Sequence, residues 1–263
     1  MIRQNELLKE VSDVFLSETS FSIIIGAELE FYLKSPICNS LKESIIKEAD
    51  SDLLIPQIDN EKGNNQYEIQ FAHTSEISSL AEQISSVREK IIKICKKFDN
   101  EAIFDAKPYN DDYGNSMHIH FSLLDENGEN PLSKNGEDES IYMQHSIGGM
   151  LNKMQDSLRY FCPTKQCYDR LDTKYMAPST VSWGGNNRTV ALRLPTTTND
   201  PKSRRIEHRV PSAIADPQLC IFHIISAALH GINNKIIPKT SKTHGDASLE
   251  QYGHTHLIRN YLA

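Results

Sequence analysis

The sequence lacks an excess of positive charge and any long hydrophobic run. Its 263 residues carry 28 Lys and Arg against 35 Asp and Glu, a formal net charge of −7. Because nucleic acid and anionic membranes are bound through clustered Lys and Arg, this balance argues against both as non-specific partners. The longest apolar stretch, residues 220–232, falls short of the roughly 20 residues that a membrane span needs. We therefore predict a small-molecule partner, with no nucleic acid and no membrane.

The sequence is also poor in features of secreted proteins. The N-terminal residues mix charges into an amphipathic period and lack the apolar core of a signal peptide. The five cysteines are an odd number without a zinc-type spacing, and they predict reduced thiols in a cytoplasmic protein. With 38% hydrophobic and 24% charged residues and no internal repeat, the chain is typical of one globular α+β domain.

Amphipathic periodicity predicts four helices, over residues 4–17, 75–98, 141–161 and 216–234. Ser75 is the candidate N-cap of the second helix. The acidic residues 125–139 are predicted to form a solvated turn between a strand and a helix.

Four shorter segments alternate apolar and polar residues and predict strands, over residues 21–33, 65–72, 116–124 and 205–210. Alternation alone is typical of an antiparallel sheet with one solvated face and needs no chemistry. These polar faces, however, concentrate Glu, His and Arg: Glu28, Glu30, Gln66, Glu68, Gln70, His118, His120, Ser122, Arg205, Glu207 and Arg209. If the faces line one cavity, their carboxylates repel each other and require cations. Such a ligand set suits Mg²⁺ or Mn²⁺ better than zinc.

Arginine is concentrated within about twenty residues of this acidic chain. The cluster also holds Lys202 and consists of Arg188, Arg193, Arg204, Arg205 and Arg209. Guanidinium groups capture phosphate or carboxylate, and together with metal-binding glutamates they are what phosphoryl transfer requires. The alternative is that these arginines pair with neighbouring surface acids.

Five segments resemble, in order, the signature segments of the glutamine synthetase catalytic domain. They are GAELEF at 26–31, QYEI at 66–69, SMHIHFSL at 116–123, NNRTVALRLP at 186–195 and RRIEHRVP at 204–211. The resemblance runs from about residue 22 to about residue 240. It implies a curved antiparallel sheet flanked by helices, the fold of glutamine synthetases and guanido kinases, with the active site in the concavity.

The resemblance implies two divalent metal sites for Mg²⁺ or Mn²⁺. One ligand set is Glu30, Glu61 and Glu68, and the other is Glu28, His118 and Glu207. Glu61 rests on the weakest match, because Asn65 stands where the family usually has Gly before the Gln.

The resemblance also implies roles in binding ATP and glutamate. His120, Ser122 and Lys202 match positions near ATP. Arg188, Arg193 and Arg205 match arginines that contact the phosphates of ATP and the charge on the transferred phosphoryl group. Arg188 and the metal-ligand candidate Glu207 are the catalytic candidates. Arg170 and Arg209 match arginines that hold the carboxylate of glutamate. Gly114 matches the loop that touches the substrate amine, although Ser116 stands where the family usually has Gly.

The implied chemistry is ATP-dependent formation of a γ-glutamyl phosphate, which a nitrogen nucleophile then displaces. Ammonia-using members carry a flap Glu where this chain has Met176, and SWGGNNRT at 182–189 also resembles members that use larger amines. A γ-glutamylpolyamine or other γ-glutamylamide ligase is therefore the first hypothesis. A glutamine synthetase that uses ammonia and a non-catalytic nucleotide-binding or structural relative are the alternatives.

Set against the family, the chain is expected to be a single catalytic domain over residues 1–263, with an N-terminal helix over 1–20 and an abbreviated tail over 239–263. The family's N-terminal domain, which lends residues to a neighbouring subunit, has no counterpart in the sequence. The link between Glu30 and Glu61 is also shorter than usual. We therefore expect either a homo-oligomer or a partner chain in place of that domain.

Overall fold

The structure is a computed structural model that describes residues 2–49, 52–133, 139–196 and 200–257. Its α-helices are α1 (Ile2–Thr19), α2 (Asn39–Glu48), α3 (Ile77–Lys97), α4 (Ile141–Phe161), α5 (Lys165–Asp169) and α6 (Pro217–Asn233). Its strands are β1 (Ser22–Leu33), β2 (Leu54–Asn60), β3 (Gln66–Thr74), β4 (Ala102–Ile103), β5 (Met117–Leu124), β6 (Trp183–Gly184), β7 (Leu192–Arg193) and β8 (Ile206–His208).

The strands form one sheet of eight in the order β2-β3-β1-β5-β8-β7-β6, with β4 added beside β1. All the pairings are antiparallel except that of β6 with β7, which is parallel. The predicted α+β class is thus confirmed, and the sheet is mixed rather than purely antiparallel. β6 lies at the edge of the sheet, beyond β7, which pairs with both β6 and β8.

The register of the central strands brings the chemically active residues together. Glu28 on β1 lies opposite His118 on β5, and Glu30 lies opposite Glu68 on β3. On the other side of β5, His120 faces Glu207 of β8. Because side chains alternate along a strand, all of them project from the same face of the sheet.

The opposite face of the sheet carries the core. Its side chains are fully buried, among them Ala27, Leu29, Phe31, Met117, Ile119, Phe121 and Ile206. Helices α1 and α3 contact β1, and α6 packs on α1, α3 and α4. The α4–α6 contact is close because a Cβ on Gly149 would lie only 2.1 Å from the carbonyl oxygen of Ala227. Helices therefore shield one face of the sheet and leave the polar face free.

The predicted helices are confirmed with small shifts at their ends. Helix α4 spans the predicted residues 141–161, and α6 begins after Asp216, whose side chain caps the N–H groups of Gln218 and Leu219. The prediction for Ser75 is wrong, because α3 begins after Glu76. Just before the helix, Thr74 Oγ1 accepts a hydrogen bond from the Glu76 N–H at 2.9 Å.

The C-terminal segment and the end of the acidic turn both pack into the fold. The described residues of the C-terminal segment pack beside β6, where Thr243 pairs with Gly184 and Trp183 Nε1 donates to the carbonyl of Thr240 at 2.9 Å. The solvated turn predicted at 125–139 is wrong at its end, because Glu139 is buried between Arg204 and Lys242. Residues 134–138 and 258–263 lie outside the described residues.

All five cysteines are free, as predicted. No helix in the described ranges is both long and apolar enough to cross a membrane.

Candidate active site

The polar face of the sheet forms a concave cavity of about 420 Å³. The strand register explains its composition, since β1, β3, β5 and β8 each turn their polar residues to this side. The cavity lining includes thirteen of the residues that the sequence singled out: Glu28, Glu30, Glu61, Glu68, Gly114, His118, His120, Arg170, Arg188, Arg193, Arg205, Glu207 and Arg209.

His118 lies at the centre of the carboxylates. Its Nδ1 is 3.1 Å from Glu28 Oε2 and 3.7 Å from Glu207 Oε1. Its Nε2 lies 2.8 Å from Ser116 Oγ, which in turn donates to Glu30 Oε2 at 2.6 Å. The backbone N–H of Ser116 donates to the same oxygen at 2.7 Å. Ser116, noted in the sequence only as a departure from the family pattern, therefore links His118 to Glu30.

Two groups of side chains could each hold a metal ion. One is Glu28, His118 and Glu207, and the other is Glu30, Glu68 and His118, with the ligand atoms of each group within 4.8 Å of one another. The first group is the set expected from the sequence. In the second, His118 stands where Glu61 was expected, and Glu61 lines the same cavity beside it. Carboxylate oxygens with one imidazole fit Mg²⁺ or Mn²⁺.

The charges of these carboxylates differ because their partners differ. Burial raises the pKa of Glu28, but its hydrogen bonds with His118 and His120 outweigh burial and hold the pKa well below its usual range. Burial and the neighbouring Glu28, Glu30 and Glu61 raise the pKa of Glu68 to about 9. The carboxylates around Glu68 therefore repel one another when ionised, which is the condition that a bound divalent ion relieves.

Glu207 is the carboxylate most closely surrounded by cations. It is fully buried, Arg193 Nη1 donates to its Oε2 at 2.5 Å, and Arg209 donates to its Oε1. Burial raises its pKa, but its neighbours, with Arg209 foremost, outweigh burial and lower the pKa to about 2. Glu207 is therefore ionised and orients two arginines towards the cavity.

A second chain of hydrogen bonds connects Arg205 to Glu28 through His120. Arg205 Nε donates to His120 Nδ1 at 3.1 Å, so that Nδ1 acts as an acceptor. Nε2 then carries the proton and donates to Glu28 Oε1 at 2.9 Å. His120 thus has a defined tautomer with its ring fixed between the arginine and the carboxylate.

Three of the residues selected from the sequence do not line the cavity. Arg204 forms an ion pair with Glu139, and its carbonyl accepts a 2.8 Å hydrogen bond from Ser122 Oγ. Lys202 is exposed, with its Nζ 3.3 Å from Glu129 Oε1. Because neither Ser122 nor Lys202 lines the cavity, their contacts with a nucleotide stay predictions.

One wall of the cavity is formed by Tyr113 and by residues 175–178, and sequence reasoning identified only Met176 there. Met176 has a left-handed backbone with φ 55°, and its side chain is 37% exposed. Its carbonyl accepts from Arg209 Nη2 at 3.2 Å. This wall therefore presents aromatic and apolar groups beside an arginine that also contacts Glu207.

Comparisons with known proteins agree with this geometry. The family model described as "Glutamine synthetase, catalytic domain" matches residues 38–252. The gamma-glutamylputrescine synthetase PuuA of Escherichia coli K12 is 34% identical over 193 residues, which are 73% of this chain and 40% of PuuA. A glutamine synthetase of Pyrococcus abyssi is 31% identical over 245 residues, 85% of this chain and 55% of that protein.

The gamma-glutamylethanolamide synthetase GlnA4 of Streptomyces coelicolor is 30% identical over 188 residues, 72% of this chain and 39% of GlnA4. The chain thus spans between 39% and 55% of the length of these three relatives. A solved structure described as a GmaS/ADP complex superimposes with a TM-score of 0.81 at 22% identity. The superposition covers 97% of this chain and 65% of the chain in that structure, and this similarity confirms the fold.

Proposed function

We propose that this chain, which belongs to the glutamine synthetase family, forms a γ-glutamyl amide from glutamate and an amine, with ATP as the phosphoryl donor. The observation that carries the proposal is one cavity in which two metal-ligand groups share His118 and face a set of arginines. Carboxylate-bound metal and guanidinium groups together are what phosphoryl transfer requires.

The metal ligands would be divided between the two groups. Glu28, His118 and Glu207 would hold one Mg²⁺ or Mn²⁺, and Glu30 and Glu68, with Glu61 beside them, would hold another. When bound, such ions supply positive charge to phosphoryl oxygens. The repulsion of Glu28, Glu30 and Glu61 on Glu68 supports this assignment.

The arginines would bind the anionic parts of the two substrates. Arg188 is exposed within the cavity, and we assign it and Arg205 to the phosphates of ATP. Arg193 is held by Glu207 at 2.5 Å and would meet the transferred phosphoryl group from the same side. Glu207 acts here by fixing the direction of the guanidinium groups, which would otherwise be free to rotate.

Glutamate would be held by two deeply buried arginines. Arg170 and Arg209 are 2% and 5% exposed, and both line the cavity. Arg170 donates to the carbonyl of Val210 and lies against Gly114, where any Cβ would clash with its side chain. Both guanidinium groups would therefore be oriented before a carboxylate binds to them.

The reaction then proceeds in two balanced steps. An oxygen of the glutamate γ-carboxylate attacks the γ-phosphorus of ATP, and the bond to ADP breaks. The nitrogen of the neutral amine attacks the acyl carbon of the γ-glutamyl phosphate, the bond from that carbon to the phosphate oxygen breaks, and the proton that the nitrogen loses passes to the leaving inorganic phosphate. The chain's own residues bind, orient and neutralise charge in both steps.

An amine rather than ammonia is supported by the cavity wall at Met176. In ammonia-using members the matching residue is a Glu, whereas a thioether beside Tyr113 and Tyr175 offers an apolar surface to an alkyl group. Two of the relatives are named as synthetases of γ-glutamyl amides of putrescine and ethanolamine. The similarity of a glutamine synthetase over 85% of the chain supports ammonia as the second candidate.

The direct test is phosphate release from ATP in the presence of glutamate, Mg²⁺ or Mn²⁺ and a panel of amines that includes ammonia. We expect release to depend on both glutamate and an amine. Glu207→Gln should abolish it, whereas the exposed Glu89→Gln should leave it unchanged. Equal release from the Glu207→Gln variant and the wild type would refute the catalytic proposal. A cytoplasmic location, which the free thiols support, stays a prediction.

A further inference from the structure

The wall that would meet the amine is a short segment, residues 172–178, with little regular structure. It contains one 3-10 turn, Thr173–Tyr175, and the left-handed Met176. The N–H groups of Tyr175 and Met176 donate to Asp172 and Thr173 of the same segment, each at 3.0 Å. Because such local bonds do not fix a segment relative to its surroundings, its position depends on side-chain anchors.

One such anchor at the Tyr175 ring is Lys107, which is not among the residues selected from the sequence. Its Nζ lies 3.5 Å from the centre of the Tyr175 ring, and the residue is only 7% exposed. The same ammonium donates to the carbonyl of Asp112. Tyr113, the next residue, packs edge-on against Tyr175 with ring centres 5.7 Å apart. Lys107 thus connects the loop that carries Gly114 to the cavity wall.

The burial of this ammonium makes the contact strong. Burial lowers the pKa of Lys107, which reflects the loss of water around the charge. An ammonium on an aromatic face is attracted most strongly when water is excluded from it. Lys174 offers an internal comparison, since its Nζ lies 4.9 Å from the same ring but its side chain is exposed to solvent.

We propose that Lys107 is a positioning residue, whose ammonium holds Tyr175, and through it Met176, in place as the wall of the nitrogen-nucleophile site. The inference rests on the proposed function, because the wall matters only if an amine binds against it. Lys107 itself acts through Tyr175 and need not touch the substrate.

The test compares Lys107→Met, which removes the charge and keeps an unbranched apolar chain, with Lys107→Arg, which keeps a cation over the ring. Lys174→Met is the matched control, because it makes the same change at the same ring on an exposed side chain. We expect Lys107→Met to raise the KM for the amine about tenfold, with kcat and the KM for ATP within twofold of wild type. Lys107→Arg should restore most of the loss, and Lys174→Met should resemble the wild type.

A second measurement does not depend on activity. Limited chymotrypsin cleavage after Tyr175 reports how often the segment opens, and Lys107→Met should accelerate it about tenfold relative to wild type and Lys107→Arg. If the wild type turns over no amine, the proposed function fails while the cleavage rates still decide the role of Lys107. If Lys107→Met does not fold, Tyr175→Leu removes the ring instead and should give the same rise in KM for the amine. A Lys107→Met variant with unchanged cleavage rate, or a rise in KM shared equally by Lys174→Met, would overturn the inference.

Discussion

Replacing Glu68 by Gln should stabilise the metal-free protein, although the replaced residue is a buried polar group in a candidate active site. Glu68 is 6% exposed, and burial together with Glu28, Glu30 and Glu61 raises its pKa from 4.5 to about 9. The unfolded chain loses this proton near pH 4.5 and the folded chain keeps it, so that folding becomes less favourable as the pH rises. The substitution removes the free-energy cost of keeping this carboxyl group protonated in the folded chain, and it leaves the shape of the side chain unchanged.

The size of the effect follows from the two pKa values. At pH 7 the carboxyl group is about 2.5 pH units above its pKa of 4.5 in the unfolded chain. Keeping it protonated in the folded chain therefore lowers the free energy of unfolding by about 3 kcal/mol. The amide oxygen of the substituted side chain can still accept the hydrogen bond that Gln70 Nε2 donates to Glu68 Oε1 at 3.1 Å, so little is lost in exchange. We expect a gain of about 1 to 3 kcal/mol at pH 7, which for a chain of this size raises Tm by about 5 °C.

The assay is urea and thermal unfolding in EDTA, with Glu89→Gln as a control that removes the same charge from an exposed position. The gain should disappear below about pH 4.5, where the carboxyl group is protonated in both states. Addition of Mn²⁺ should stabilise the wild type by about 3 kcal/mol at a hundredfold excess over Kd, and the variant by much less. A Glu68→Gln variant that is no more stable than Glu89→Gln in EDTA would refute the reasoning.

Three further predictions concern other parts of the site. Glu207→Gln should lower amine-dependent phosphate release at least a hundredfold, because Arg193 and Arg209 lose the charge that orients them; steady-state kinetics measure this. Met176→Glu should raise ammonia-dependent turnover relative to amine-dependent turnover, and a ratio that does not change would remove the support for an amine. Glu139→Gln should destabilise the fold by about 3 kcal/mol in urea unfolding, because buried Arg204 and neighbouring Lys242 lose their partner.

Period-two alternation proved a reliable guide to the candidate site because it depends only on local geometry. Once residues 21–33 form a strand, Glu28 and Glu30 must share a face, whatever the rest of the chain does. The pairing of that face with His118 and Glu68 depends on register, which no single strand specifies. The resemblance to a known family supplied this step in advance.

The sequence pattern is least informative where a role depends on which way one side chain turns at the end of an element. Ser122 and Lys202 are near the cavity along the chain, but Ser122 bonds to the carbonyl of Arg204 and Lys202 pairs with a surface acid. In the sequence, Glu139 is one more charge in an acidic loop. Its burial follows from the ion pair with Arg204, which the sequence pattern does not show. Lys107 likewise has no signal in the pattern, since its contact with Tyr175 joins distant segments.

The two metal-ligand groups differ in how the protein itself balances their charge, and this difference bears on how the site works. Glu207 is paired with Arg193 and Arg209, and Glu28 is hydrogen-bonded to two histidines, so the protein itself stabilises the carboxylates of this group without an ion. Glu68 lies among Glu28, Glu30 and Glu61, and its raised pKa records that lack of balance. We therefore expect the Glu30 and Glu68 group to bind a divalent ion first, as a structural part of the cavity. If the chain binds a nucleotide as proposed, the group around Glu207 would exchange arginine contacts for an ion, and the phosphate oxygens would favour this exchange by binding the released guanidinium groups.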